Sequence, residues 1–225
     1  ADLVPRDELA ELTTLMQAPF RNSFGSTETG LAPASKGRVP IGAAPALLPK
    51  TQSSFCRLRL VDEEDRGVPD GEPGEAALRT PCLFSGYWSS PEENATAFRG
   101  GWYHMGDILR RNPDGTLDCI DRRSYLIKSG GESIFPGEIE RLLAADPRIA
   151  EAVIVRRTDP RWGEVPVAFV VAREAGLSEA EVIAACRGRI AEYKVPKAVR
   201  FIAADAIPRS VQGKVQRRAL EALLA

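Results

Sequence analysis

Asp121-Arg122-Arg123-Ser124-Tyr125-Leu126-Ile127-Lys128-Ser129-Gly130-Gly131-Glu132 divides the chain into two unlike parts. The polar run 121–124 lies between two stretches that read as strands, and the patterning changes across it. After Tyr125, Pro136 to Ala145 is helical, with Ile139, Leu142 and Leu143 on one face. Ala150 to Val155 and Val165 to Ala172 are apolar, β-branched runs expected to be buried strands. Ser178 to Ala191 is expected to be a helix capped by Ser178, with Glu181 three residues on. The predicted order is strand–helix–strand–strand–helix–strand, enough for a small domain over 125–225.

Before Asp121 the chain is richer in strands and turns. Pro5 followed by Arg6-Asp7-Glu8 opens a helix, with Leu9, Leu12 and Met16 as its apolar stripe. Phe20 to Phe24, Phe55 to Val61 and Gly74 to Thr80 read as strands; arginine and leucine alternate from Arg57 to Leu60. Ser90-Pro91-Glu92-Glu93 has the capping-box pattern and predicts a helix over Pro91 to Phe98. Asn112-Pro113-Asp114-Gly115 predicts a turn joining a strand near Asp107–Arg110 to one over Thr116–Ile120. The early strands have no evident partners within the chain. The expected fold class is α+β, a β-rich part followed by a small α+β domain.

Charge and cysteine content narrow the function classes. Thirty basic side chains against 31 acidic leave a net charge of −1, which argues against a nucleic-acid footprint or a polybasic membrane surface. Cys56, Cys82, Cys119 and Cys186 are scattered, and with a single histidine a zinc site is not expected. No signal peptide or bilayer-length apolar run is visible, so the expected location is cytoplasmic.

Four motifs suggest chemistry, each with a plainer alternative. In Ser23-Phe24-Gly25-Ser26-Thr27-Glu28-Thr29-Gly30, a glycine turn lets amides and hydroxyls approach phosphate beside a carboxylate suited to Mg²⁺; alone, it is equally an ordinary turn. In Trp102-Tyr103-His104-Met105-Gly106-Asp107, an aspartate after a strand can accept two hydrogen bonds from a ribose diol, or simply satisfy turn amides. His104 has no triad partner in sequence and reads as pocket lining or surface. Arg122 stands where a guanidinium can reach a nucleotide, and Gly130-Gly131 permits close backbone approach; the bland readings are a solvated arginine pair and a turn. Pro208-Arg209-Ser210-Val211-Gln212-Gly213-Lys214-Val215-Gln216-Arg217 presents one lysine just before a helix. A compact ammonium on a flexible stem suits carboxylate attack on an α-phosphate, although Gly-Lys in a basic loop is commonly only a solvated turn.

In order, "FGSTETG", "GYWSSPEENATAFRGGWYHMGD", "DRRSYLIKSGGESIFPGEIE" and "PRSVQGKVQRRAL" resemble the later signature motifs of the adenylate-forming (AMP-binding) superfamily of acyl- and aryl-CoA synthetases, peptide-synthetase adenylation domains and luciferases. The resemblance implies the C-terminal part of the large domain over 1–121, a hinge at 122–124 and a small mobile lid domain over 125–225. It also implies a two-step ligase: ATP and a carboxylic acid give an acyl-adenylate, and a thiol, that of coenzyme A, then displaces AMP. By motif position, Thr27 contacts the α-phosphate region, Glu28 binds Mg²⁺, and Asp107 and Arg122 bind the ribose. Lys214 is the adenylation lysine, Lys128 has a role in the second step of some members, and Gly130 and Gly131 face the pantetheine arm of the thiol.

Three departures accompany the resemblance. Phe24 replaces the usual tyrosine, and Ser124 occupies a hinge position where lysine or aspartate is usual. The third is extent: the Ser/Thr/Gly-rich phosphate loop and most of the acyl pocket have no counterpart here, so the chain alone is expected to adenylate poorly or not at all. An adenylation domain loading a carrier protein and a non-catalytic nucleotide-binding module are the alternatives. The acid and the oligomeric state are not legible.

Overall fold

The computed structural model describes residues 6–45 and 48–224; Pro5 lies outside them. Contacts divide the chain into two compact units, Ala1–Arg123 and Ser124–Ala225. Together they are α+β, with three sheets and five α-helices among the described residues.

In the first unit, α1 (Arg6–Met16) buries Leu9 and Thr13, one helical turn apart, while Leu12, Leu15 and Met16 remain exposed. The expected Leu9–Leu12–Met16 stripe is therefore not the packed face. Position 13 wins because the Thr13 hydroxyl donates to Ala10 O (3.0 Å) and accepts the Gly42 N–H (3.0 Å), so its polar atom is satisfied where it is buried.

β1 (Phe20–Phe24) pairs antiparallel with β2 (Ala34–Val39), and β2 with β3 (Thr51–Gln52). β4 (Arg57–Val61), β5 (Pro73–Arg79), β6 (Tyr103–Arg111) and β7 (Leu117–Arg122) form an antiparallel meander in chain order. Two-residue alternation sends Leu58, Leu60, Ala76, Leu78, Tyr103 and Met105 into one core and leaves Arg57, Arg59 and Arg79 exposed. The β6–β7 turn is as read: Asp114 accepts from the Thr116 amide and hydroxyl, and Gly115 takes φ 80°. The helix α2 (Pro91–Ala97) forms with proline in its first turn, but Ser90 does not cap it; the Ser90 hydroxyl donates to Trp88 O (3.2 Å). Asn94 instead ties the helix to the preceding loop, exchanging two hydrogen bonds with the Tyr87 backbone (2.7 and 2.8 Å).

The second unit is a five-stranded sheet with helices on both faces. β8 (Ile127–Ser129) and β9 (Glu132–Ile134) form a hairpin, β10 (Ile149–Asp159) and β11 (Gly163–Ala172) a longer one, and β12 (Val199–Phe201) runs parallel to β11. Helices α3 (Pro136–Leu143) and α4 (Glu179–Cys186) cover one face through Ile139, Leu143, Val182 and Cys186, against Ile127, Ile154 and Val170. α5 (Arg217–Ala222) covers the other, seating Leu220 against Val153, Val155 and Phe169. Burying each such Leu, Ile or Phe contributes ~1.5–3 kcal/mol, which explains why the β-branched runs dictate this unit. The Ser178–Glu181 capping box is formed, with the Ser178 hydroxyl accepting the Glu181 N–H. α4 nevertheless stops short of the expected Ala191: Arg187 is extended (ψ 138°) and Gly188 takes φ 72°. No helix among the described residues is long and apolar enough to cross a membrane.

Candidate active site

The first unit gathers one group of polar side chains around the turn after β1. Gly30 closes that turn at φ 65°, where a Cβ would come 2.7 Å from Cys82 O, so only glycine fits. Thr29 is buried, and its hydroxyl donates to Ser26 O (2.9 Å) and accepts the Ser26 N–H (3.1 Å). Thr27 is left exposed and Glu28 half-buried beside it.

Glu28 is held from both ends. Its carbonyl accepts the Phe84 N–H (2.9 Å), and its Oε1 accepts the Tyr87 hydroxyl (3.1 Å), itself 3.4 Å from the Tyr103 hydroxyl. The Ser26 hydroxyl is buried and closes no hydrogen bond of full geometry. Its dipole is the first cause that lowers the Glu28 pKa below the ordinary carboxyl value; the residue's own amide, Tyr87 and the charge of Arg122 act in the same direction. Burial pushes the Tyr103 phenol well up, so it stays a neutral donor.

Asp107 stands on β6, four residues beyond Tyr103, and Arg122 is its register partner on β7. The Arg122 Nε lies 2.8 Å from the Asp107 carboxylate. Burial raises the Asp107 pKa, and Arg122 opposes that rise. Arg122 is thus the common neighbour: it pairs with Asp107 directly, and its charge reaches Glu28, while Tyr87 and Tyr103 tie Glu28 to the start of β6 and Thr27 precedes it in the turn.

The remaining sequence-predicted residues fall in the second unit. Lys128 is exposed on β8, and its amide donates to Glu164 (2.9 Å). Gly130 and Gly131 turn the β8–β9 hairpin at φ 59° and 89°. The Gly130 N–H donates to Trp162 O (2.8 Å), and a Cβ there would lie 2.8 Å from the Trp162 ring. Ser129, Gly130, Trp162, Tyr193 and Lys197 line a cleft of ≈ 260 Å³. Lys214 is exposed at the end of a tight loop in which Ser210 N–H donates to Lys214 O (2.8 Å) and Gly213 takes φ 79°. Three residues on, Arg217 pins the start of α5 with two bonds to the buried Glu140 (2.5 and 3.0 Å).

Sequence reasoning missed Tyr87 and Tyr103, although both lie inside quoted motifs; the register of β6 shifts between His104 and Ile108, where Gly106 takes φ 72°, so strand parity gave no signal linking Tyr103 to Asp107. His104 is not on the surface but buried, lining a cleft with Glu75, Tyr87, Arg99 and Arg123. Its Nδ1 lies 3.4 Å from Glu75, and burial is the main cause lowering its pKa, so it is held neutral.

No cluster of three or more His, Cys, Asp or Glu among the described residues can hold a metal. A single ionised carboxylate, Glu28, fits Mg²⁺ only in the manner of nucleotide enzymes, where one or two carboxylates and the phosphates share the ion.

Residues 138–214 match the model of the AMP-binding enzyme C-terminal domain. The chain matches the C-terminal region of adenylate-forming enzymes. The indoleacetate–CoA ligase of Aromatoleum aromaticum is 38% identical over 213 residues, which are 92% of this chain and 40% of that protein. The 2-succinylbenzoate–CoA ligase of Geobacillus kaustophilus is 38% identical over 212 residues, 92% of this chain and 41% of its own length. Among solved structures, the o-succinylbenzoate CoA synthetase of Bacillus subtilis matches with a TM-score of 0.76 and 30% identity, over 95% of this chain and 43% of that one. It has been solved with its acyl-adenylate intermediate and with ATP and magnesium ion. The chain therefore spans about two fifths of the length of the CoA ligases it matches.

Proposed function

We propose that this chain is the C-terminal part of an ATP-dependent acid–thiol ligase that forms an acyl-adenylate and then a coenzyme A thioester. The observation that carries the reading is that Arg122 pairs with Asp107 and extends its charge to Glu28, three residues from separate motifs of the sequence. The similarity to two CoA ligases supports the reaction class and the acceptor. On this reading residues 1–121 complete the large domain, 122–124 form the hinge and 125–225 are the mobile lid.

The roles follow from the chemistry of each group. Asp107 and Arg122 exchange their mutual ion pair for the two ribose hydroxyls, the carboxylate accepting and the guanidinium fixing its orientation. Thr27 donates its exposed hydroxyl near the α-phosphate. Glu28, ionised and held by Tyr87, would hold Mg²⁺ together with the phosphates; when bound, that ion supplies charge neutralisation at the phosphoryl oxygens. Lys214 bridges the attacking carboxylate and the α-phosphate oxygen, where negative charge crowds most in the transition state. Once the adenylate exists, the lid turns, Lys214 withdraws, and the Gly130–Gly131 loop with Lys128 serves the thiol, which attacks the acyl carbon and expels AMP.

The test is pyrophosphate release by a full-length protein containing this chain, with Lys214→Ala beside it. Adenylation is expected to fall ~10²–10³-fold, as for loss of one well-placed electrostatic group, while thioester formation from preformed acyl-adenylate persists. Undiminished adenylation by the variant would refute the role of Lys214, and AMP binding without pyrophosphate release by the unmutated full-length protein would mark a nucleotide-binding module in place of a ligase. The chain alone is expected to release little pyrophosphate; turnover equal to the full-length protein would refute the need for an upstream phosphate loop.

A further inference from the structure

The outward side of the β4–β5 pair carries Arg57, Arg59 and Arg79, and Arg57 stands directly opposite Arg79 in the antiparallel register. Like charges at opposed positions weaken a sheet unless something answers them. The nearby carboxylates are already engaged: Glu75 with Arg99 (2.6 Å) and Arg123 (2.7 Å), and Asp65 with Arg99 (3.0 Å). Glu92 and Glu93 on α2 form no ion pair with any of the three. Among the described residues, no carboxylate pairs with Arg57, Arg59 or Arg79.

Two of these arginines are nevertheless fixed in place. Arg79 Nε donates to Gly101 O (2.6 Å), and its guanidinium lies 4.5 Å from the centre of the Trp102 ring. Gly101 makes this possible: at φ 72°, a Cβ there would come 2.8 Å from Arg79 Nη2. Arg59 lies 5.1 Å from the same ring centre and donates to the Asp65 carbonyl (3.2 Å). A ring and two carbonyls order these guanidiniums without neutralising them. Order of that kind removes much of the side-chain entropy that docking would otherwise cost.

We propose that this face docks an acidic protein surface, a glutamate- or aspartate-rich segment laid across β4 and β5. The inference is independent of the ligase reading. Carboxylates on alternate residues of an extended segment match Arg57 and Arg59, which are themselves two apart on one strand face. Nucleic acid fits less well. Trp102 already carries the Arg59 and Arg79 guanidiniums at 5.1 and 4.5 Å from its ring centre, which compete with base stacking, and the chain's net charge is −1.

The probe is a short fluorescein-labelled peptide of alternating glutamate and threonine, titrated with the full chain and followed by anisotropy. Binding is expected at low salt and weakens as salt rises. Arg57→Ser/Arg59→Ser is expected to weaken it about tenfold, whereas Arg200→Ser/Arg218→Ser, the same charge change on exposed residues of the second unit, leaves it within about twofold. Should the double variant melt early, Arg57→Ser alone serves, since its side chain has no partner among the described residues; it is expected to weaken binding about threefold. No binding by the wild type, or equal loss in both double variants, overturns the proposal. Tighter binding of a single-stranded oligonucleotide of equal charge through the same arginines overturns it in favour of nucleic acid.

Discussion

Arg217→Ala tests how the second unit secures the segment that carries Lys214. Glu140 is 3% exposed, and its carboxylate accepts three hydrogen bonds: one from the Ile154 amide (2.8 Å) and two from Arg217 (2.5 and 3.0 Å). Arg217 also donates to Ile154 O (2.5 Å), and its guanidinium lies 4.6 Å from the centre of the Tyr125 ring. Removing the guanidinium strands a carboxylate inside the protein, which costs ~3–5 kcal/mol. Against a typical domain stability of ~5–15 kcal/mol, that is a large fraction. Because the chain has two units, a single denaturation midpoint mixes two events, so the assay should report on β10 itself. Hydrogen exchange of the peptide spanning Ile154 is expected to quicken by roughly two to three and a half decades if that strand opens with its unit. Replacing both partners by apolar residues, Glu140→Leu with Arg217→Met, is expected to restore part of the protection: no buried charge is left behind, but the Ile154 N–H and carbonyl lose the bonds that Glu140 and Arg217 gave them. Acceleration of less than about tenfold in Arg217→Ala would refute the account, since it would mean that water or another cation already serves Glu140.

Gly130→Ala forces an L-residue to φ 59° and drives a Cβ against the Trp162 ring; a cost of ~1–2 kcal/mol and a shifted tryptophan emission are expected, checked by urea titration with fluorescence. Ser178→Ala removes the α4 cap and its partner role with Glu181, lowering stability by ~1 kcal/mol, read as a fall in the melting temperature of the second unit. The two carboxylates of the candidate site should titrate oppositely by carbon NMR. Glu28, lowered from 4.5, contributes stability above 4.5 that is lost as pH falls through its folded value. Asp107, raised from 3.8, contributes stability below 3.8 that is lost as pH rises through its folded value. Tyr87→Phe should move Glu28 back toward 4.5 and leave Asp107 in place.

Much of this architecture is local and could be read along the chain. Apolar, β-branched runs of strand length favour buried strands, so β10 and β11 were legible; Asn112–Gly115 read as a turn, and Ser178 with Glu181 as a helix start. The motif residues announced their chemistry through residue type and order. What the linear pattern could not contain was competition between distant groups. Ser90 was a plausible cap until Asn94 took over the loop, and Leu12 a plausible core residue until Thr13 found its bond to Gly42. His104 reads alike exposed or buried until Glu75 and Arg99 close around it. The pairing of Asp107 with Arg122, and the reach of that arginine's field to Glu28, exist only because a meander brings β6 beside β7 and returns both to the turn after β1. Residue identity decided which chemistry was available; burial and cross-strand register, which depend on the whole fold, decided which charges meet.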